Sequence, residues 1–83
     1  MNREQIRQAL QTIFRDFLRN DDISLQDSTT ANDIDGWDSL THVYILLAIE
    51  TKLGVKFAAH ETRQLKNVGD LISSIQTHQA RSA

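Results

Sequence analysis

The chain has 83 residues, of which 40% are hydrophobic and 24% are charged, and its formal net charge is -2. A chain this short supports one hydrophobic core, so we expect a single domain over residues 1–83. The absence of cysteine excludes a disulfide and a thiolate metal centre. The longest apolar run, residues 43–49, is too short to cross a bilayer, and residues 1–5 have no signal-peptide pattern, so we expect a cytoplasmic protein.

The first predicted element is an amphipathic helix over residues 3–19. Its apolar side chains recur at steps of three and four residues, which is the period of one helix face. Asn2 is placed to cap the start of this helix, and the polar run 20–22 ends it. The apolar positions are Ile6, Leu10, Ile13, Phe14, Phe17 and Leu18.

Residues 20–38 have no hydrophobic period and form a long polar loop. A connection of this length is uncommon in a compact domain and is usually functional or disordered. Apolar residues at Ile23, Leu25 and Ile34 predict that the loop packs back onto the helices. Gly36 suits a turn just before the next helix, because glycine adopts backbone conformations that other residues resist.

The loop is acidic, whereas the helix before it is basic. Acidity disfavours a nucleic-acid partner, because phosphate backbones attract basic surfaces. It favours a basic protein surface as a partner, although simple solvation of an acidic loop explains the charge equally well. The acidic positions are Asp21, Asp22, Asp27, Asp33, Asp35 and Asp38, and the basic positions of the helix are Arg3, Arg7, Arg15 and Arg19.

The second predicted helix runs over residues 39–53 and stops at Gly54. This helix has two apolar faces, although one is enough to join a small bundle. The second face is either covered by the apolar residues of the long loop or left exposed for a partner. One face contains Ile45, Leu46, Ile49 and Leu53, and the opposite one contains Leu40, Val43 and Leu47 with Tyr44 beside them.

Three further elements complete the chain. Residues 55–57 predict an extended link, and residues 60–65 a short helical turn. Asn67 and Asp70 resemble a capping box, which predicts a last helix that ends near residue 78 and leaves residues 79–83 as a flexible tail. The sequence therefore predicts an all-α fold, a small bundle of three long helices and one short helix with a long first loop.

The histidines do not predict a metal site. His42, His60 and His78 are scattered and have no ligand spacing. His42 lies on the predicted core-facing side of the second helix, three residues after Ser39. No acidic residue on that helix face would orient its ring, so we expect a partly buried structural histidine that packs against a neighbouring helix.

Ser39 begins the second helix. The pattern allows two caps, Ser39 itself or Asp38 before it. With Asp38 as the cap, the hydroxyl of Ser39 would lie exposed in the first turn, where a helix N-terminus favours an anionic substituent. The surrounding residues, Gly36 to Thr41, lack the G-x-S-x-G pattern of serine hydrolases, and the chain leaves little room for a closed substrate pocket. We therefore expect no catalysis by this chain alone.

The residues around Ser39 resemble those of the acyl carrier proteins. The similarity is strongest over residues 36–43, continues through residues 46–50 and 53–57, and returns at residues 67–71. The resemblance implies that Ser39 receives 4′-phosphopantetheine from coenzyme A. It also implies that the thiol of this covalent arm carries acyl groups as thioesters, with no catalytic role for the chain itself.

The resemblance also implies partners for this predicted monomer. A phosphopantetheinyl transferase with a magnesium ion would attach the arm, and synthases and acyltransferases would load and use the acyl group. Asp38 matches the residue that helps the transferase to dock. The exposed positions expected to contact partners are Leu40, Val43, Tyr44 and Leu47.

The second helix departs from the strongly acidic one that is usual in bacterial fatty-acid synthesis, since Glu50 is its only acidic residue. This departure predicts a specialised lipid or polyketide-type pathway. Two alternatives remain from the sequence: an aminoacyl or peptidyl carrier, and a helical interaction module that binds partners without any covalent arm.

Overall fold

The computed structural model describes residues 1–82, and Ala83 lies outside the described residues. It contains four α-helices and one 3-10 turn, and no strand is present over residues 1–82. The predicted all-α bundle with three long helices and one short helix is confirmed. The elements are α1 (Arg3–Leu18), the 3-10 turn (Ala31–Asp33), α2 (Ser39–Leu53), α3 (Ala59–Thr62) and α4 (Val68–Ser82).

The start of α1 and the end of α2 follow the predicted capping residues, Asn2 and Gly54, whereas α1 ends one residue earlier than predicted. The side chain of Asn2 accepts the N–H of Gln5 at 2.8 Å, and the amide of Gln5 accepts the N–H of Asn2 at 2.9 Å. The C-cap of α1 is Arg19, which adopts the left-handed conformation with φ of 53°. Helix α2 ends at Gly54 with φ of 67°, a conformation that glycine adopts without steric cost.

One hydrophobic core holds the helices together. Helix α1 packs against both α2 and α4, and residues of all three helices are buried there. Helices of this length are marginal in isolation, so this shared burial stabilises them. The largest fully buried side chains are Phe14, Ile6, Leu10, Ile45, Ile49, Leu71, Ile72, Ile75 and Val68.

The long loop belongs to the same core, as its spaced apolar residues predicted. Ile23 and Leu25 are buried, and Ile34 is partly buried against the core cluster. Ion pairs join the loop to α1: the carboxylate of Asp27 contacts the guanidinium of Arg3 at 3.0 Å and that of Arg7. Some of the acidic groups of the loop are therefore paired with basic groups of α1 within the same chain.

The last two helices differ from the prediction in their ends. Helix α3 ends at Thr62 rather than near residue 65, because the chain turns there and buries Leu65 in the core. Helix α4 continues to Ser82, past the predicted end near residue 78, since residues 79–81 contain no glycine or proline that would stop it. The flexibility predicted for residues 79–83 stays a prediction, and Ala83 lies outside the described residues.

The capping box predicted for α4 is half correct. The side chain of Asn67 accepts the N–H of Asp70 at 2.8 Å, as the pattern requires. The carboxylate of Asp70 accepts the N–H of Lys66 at 3.3 Å instead of the N–H of Asn67. The N–H of Leu71 bonds to the Asn67 carbonyl, so Asn67 still begins the helix.

Candidate functional site at the start of α2

The junction between the long loop and α2 is fixed by reciprocal hydrogen bonds. The Asp38 carboxylate accepts the N–H groups of Leu40 at 3.0 Å and Thr41 at 2.9 Å. The Thr41 hydroxyl accepts the N–H of Asp38 at 2.8 Å and donates to the carbonyl of Gly36 at 2.7 Å. Asp38 is therefore the N-cap, which decides between the two caps that the sequence allowed, and Ser39 is the first residue of α2.

The hydroxyl of Ser39 is accessible to solvent and has no intramolecular hydrogen bond. Ser39 is exposed, and its side chain makes no hydrogen bond with any of residues 1–82. The position lies at the positive end of the α2 dipole, which stabilises a negative group attached there.

The carboxylate next to Ser39 keeps its charge. The backbone N–H of Thr41, and after it the hydroxyl of Thr41, hold the pKa of Asp38 below its ordinary value by hydrogen bonding to the charged form. Asp38 therefore presents a negative charge beside Ser39 at neutral pH, in addition to capping the helix.

Trp37 ties the same junction to the core, which the sequence did not predict. Its ring is buried and packs edge-on against Phe14, with 4.9 Å between the ring centroids. Its indole Nε1–H donates to Nδ1 of His42 at 3.0 Å. The loop before Ser39 is thereby held to α1 through Phe14 and to α2 through His42.

His42 has the structural role that the sequence predicted, although its contacts differ. The ring packs against Trp37 of the loop, with 5.9 Å between centroids, and a hydrogen bond links it to the backbone of Thr62 at the end of α3. Residues 1–82 contain no group of three metal-binding side chains. The contacts of His42 link the loop, α2 and α3.

We expect the loop junction to weaken at mildly acidic pH. Burial lowers the pKa of His42, while its bond to the Thr62 backbone acts in the opposite direction. The pKa of His42 is lower in the folded state than its unfolded value of about 6.5. The neutral ring therefore makes its full contribution to the free energy of unfolding above about pH 6.5. This stability is lost as the pH falls from about 6.5 through the folded pKa, since a protonated Nδ1 no longer accepts the indole N–H.

Thermal melts between pH 7.5 and 5 measure this effect. The wild type is expected to lose more stability over that range than the variant His42→Gln, which does not titrate. Equal losses in the two proteins would show that another group is responsible. His60→Gln is the matched control, because it removes an exposed histidine elsewhere and is expected to follow the wild type.

A cavity of about 610 Å³ opens beside Ser39. It lies between the start of α2, the 3-10 turn and the segment that connects α3 to α4. Its size is typical of small-molecule sites. A larger hollow of about 870 Å³ lies between α3 and α4 and does not include Ser39. The residues around the Ser39 cavity are Thr30, Ala31, Asn32, Trp37, Asp38, Ser39, His42, Thr62, Arg63, Leu65 and Lys66.

The second apolar face of α2 is exposed. Leu40 is 65% exposed, and Val43, Tyr44 and Leu47 are each close to half exposed. We call these four residues the apolar face. Of the two alternatives that the sequence left open, the structure shows the exposed face, because the apolar residues of the long loop reach the core instead.

The apolar face continues onto α1 through Phe17. The sequence placed Phe17 on the buried side of α1, but it is 42% exposed and stacks on Tyr44, with 6.1 Å between the ring centroids. No acidic side chain belongs to the apolar face, and the carboxylate of Glu50 accepts the N–H of Phe57 at 2.8 Å. The apolar face itself therefore carries no negative charge.

Comparison with known proteins identifies the class to which this fold and site belong. The chain is 31% identical to the acyl carrier protein of Lactobacillus acidophilus over 80 residues, which cover 95% of this chain and 99% of the relative. The chain belongs to the acyl carrier protein family, whose members are carriers and not enzymes. No protein-family model matches it.

A solved structure agrees with this membership. The solution NMR structure of the holo acyl carrier protein from Geobacter metallireducens matches with a TM-score of 0.84 and 44% sequence identity, over 90% of this chain and 86% of that protein. The described residues contain no helix that is long and apolar enough to cross a membrane.

Proposed function

We propose that the protein carries acyl intermediates as thioesters on a 4′-phosphopantetheine arm attached to the hydroxyl of Ser39. The observation that carries this proposal is the exposed, unbonded hydroxyl at the first residue of α2, in a chain that belongs to the acyl carrier protein family. The related Geobacter protein is described in its holo form, which supports a prosthetic group here as well.

The residues around Ser39 fit such a group. A phosphodiester on Ser39 would lie at the positive end of α2, where the helix dipole partly offsets the repulsion from Asp38. The cavity beside Ser39 leaves room for the part of an arm that folds back on the protein. When bound, the arm supplies the thiol that this cysteine-free chain lacks.

Attachment needs a separate enzyme. The Ser39 oxygen would form a bond to the phosphorus of coenzyme A that bears the pantetheine, and the bond from that phosphorus to the nucleotide would break. The serine proton would pass to a base of the phosphopantetheinyl transferase, because His42, the nearest histidine in sequence, has its Nδ1 engaged by Trp37 and a further bond to the Thr62 backbone. Asp38 would help to dock this transferase.

The apolar face would receive the transferase as well as the other partner enzymes. We assign contacts with acyl-loading and acyl-using enzymes, such as synthases and acyltransferases, to Leu40, Val43, Tyr44 and Leu47. Their exposure supports this role, since monomeric proteins seldom expose contiguous apolar side chains without a binding function. The low acidity of α2 supports a specialised lipid or polyketide-type pathway.

The same low acidity favours a second candidate, an aminoacyl or peptidyl carrier. Loading by an adenylating enzyme separates the two: an amino acid on the arm supports the second candidate, and an acyl group from a fatty-acid-type enzyme supports the first. A monomeric state and a cytoplasmic location stay predictions from the sequence.

The test of the proposal is modification in vitro. We expect incubation with coenzyme A and a promiscuous phosphopantetheinyl transferase to add one phosphopantetheine to the wild type and none to Ser39→Ala. Intact-mass spectrometry measures the addition. Ser28→Ala removes another exposed serine and is the matched control, which should be modified like the wild type.

Two results would contradict the proposal. One is a wild type that stays unmodified by several transferases although it is folded. The other is modification that persists in Ser39→Ala. Either result would leave the non-covalent helical interaction module as the better explanation of the exposed apolar face.

A further inference from the structure

Ser39 lies within a short stretch of chain that one side-chain hydrogen bond closes. Trp37 is two residues before the serine, and His42 is three residues after it. The indole Nε1–H of Trp37 donates to Nδ1 of His42 at 3.0 Å, and the two rings are tilted by 30° with 5.9 Å between their centroids. This bond therefore holds together the residues on the two sides of Ser39.

Both ring nitrogens of His42 have a partner only when the ring is neutral. An indole N–H is a donor and not an acceptor, so Nδ1 of His42 carries no proton. The ring proton is then on Nε2, where it serves the bond to the backbone of Thr62. This tautomer is assigned from its hydrogen-bond partners. A second proton would go to Nδ1 and would point at the indole N–H.

Protonation of His42 would displace Trp37. Two N–H groups that face each other form no hydrogen bond, and an unpaired donor on the buried Trp37 side chain is unfavourable. A shift of the indole towards water would restore a partner for its N–H. Because Trp37 continues directly into Asp38 and Ser39, this shift would also displace the start of α2.

The other bonds of this junction keep their form between pH 7.5 and 5. Hydrogen bonds from Thr41 hold the pKa of Asp38 below its ordinary value, so the cap stays charged over this range. The Thr41 hydroxyl, which donates to the carbonyl of Gly36, does not titrate there. Among the described residues that fix the junction, His42 alone changes its charge near neutral pH.

Burial links the charge of His42 to the position of its ring. Burial lowers the pKa of His42, and the bond to the Thr62 backbone opposes this shift. The charged side chains around the same space are Asp38 at the start of α2 and Arg63 and Lys66 after α3, and none of them is among the causes of the shift. A ring released into water regains its ordinary pKa of about 6.5, so protonation and opening of the junction favour each other.

We propose that Trp37 and His42 are positioning residues for the modification of Ser39, and that protonation of His42 slows attachment of the arm. The inference rests on the proposed function, since it concerns the same hydroxyl and the same transferase. The neutral ring holds the junction in the form that the transferase recognises. The charged ring favours an open form in which Ser39 is displaced.

Transferase kinetics between pH 7.5 and 5 test this inference, with the wild type and His42→Gln modified in parallel by the same enzyme. The ratio of kcat/KM for the wild type to that for His42→Gln removes the pH dependence of the transferase itself. We expect this ratio to fall about two- to tenfold as the pH falls to 5, which corresponds to the net loss of one hydrogen bond. His60→Gln is the matched control, since His60 is exposed on α3, and the ratio of the wild type to this variant should stay constant.

The indole N–H of Trp37 reports the bond independently, because the chain contains one tryptophan. In the unmodified wild type its NMR resonance should shift over the same pH range in which the ratio falls, while the helical circular dichroism is retained. In His42→Gln this resonance should not titrate.

Three outcomes would overturn the inference. The first is a ratio or an indole resonance that does not change with pH in the wild type. The second is an equal fall in the ratio for His60→Gln, which would assign the effect to net charge. The third is loss of helical circular dichroism over the same range, which would assign it to global unfolding. A wild type that accepts no arm at pH 7.5 would instead reject the proposed function, and the indole titration would still report on the bond.

Discussion

Replacing Trp37 with alanine is expected to lower the free energy of unfolding by about 3–5 kcal/mol, a large part of the stability of a domain this small. The indole is 5% exposed, packs edge-on against Phe14 and donates to His42. Its loss leaves a cavity in the core and an unpaired ring nitrogen on His42. Urea denaturation followed by circular dichroism measures the change without the tryptophan signal.

The variant Trp37→Phe separates packing from hydrogen bonding. It keeps an aromatic ring against Phe14 and removes the indole N–H, so the expected loss is smaller, about 1–3 kcal/mol. A loss below about 1 kcal/mol for Trp37→Ala would contradict the role that we give to this residue, because exposed substitutions cause changes of about that size or less.

Replacing Leu40 with glutamate is expected to lower kcat/KM for modification of Ser39 by about 30-fold or more, which corresponds to the loss of one interface hot spot of about 2 kcal/mol. Leu40 is 65% exposed and follows Ser39 directly in the apolar face. A charge there would have to be desolvated against any apolar partner surface, whereas the fold does not use the side chain. The measurement is transferase kinetics with purified protein.

The variant Thr51→Glu is the matched control. Thr51 is exposed on the same side of the same helix, but it lies one turn beyond Leu47, at the end of α2 far from Ser39. Its substitution adds the same charge and is expected to leave both the kinetics and the melting temperature nearly unchanged. Equal slowing by the two variants would show that net charge, rather than the apolar face, decides transferase recognition.

The sequence predicts most of this fold because the start and end of its long helices are marked by nearby capping and stop residues. The ends of α2, Ser39 and Leu53, follow from the cap at Asp38 and the stop at Gly54. Local signals are weaker at α3, which has four residues, and its end is decided by the burial of Leu65 in the core. The end of α4 was missed because no residue near position 78 stops a helix.

The candidate site is only partly readable from the sequence. The exposure of Ser39 and its place at the helix start follow from local pattern and from the family resemblance. The bond between Trp37 and His42 does not, because it depends on how the loop folds over α2. Phe17 was misplaced for a similar reason: helical periodicity assigns it to a face, but its neighbour Tyr44 belongs to another helix.

Mass spectrometry of the protein purified from its native host tests the central claim most directly. We expect the peptide that contains Ser39 to carry one phosphopantetheine in a substantial fraction of the molecules, with an acyl group on the thiol in some of them. The mass of that group would also separate an acyl cargo from an aminoacyl one. Native protein whose Ser39 is always unmodified would contradict the carrier function.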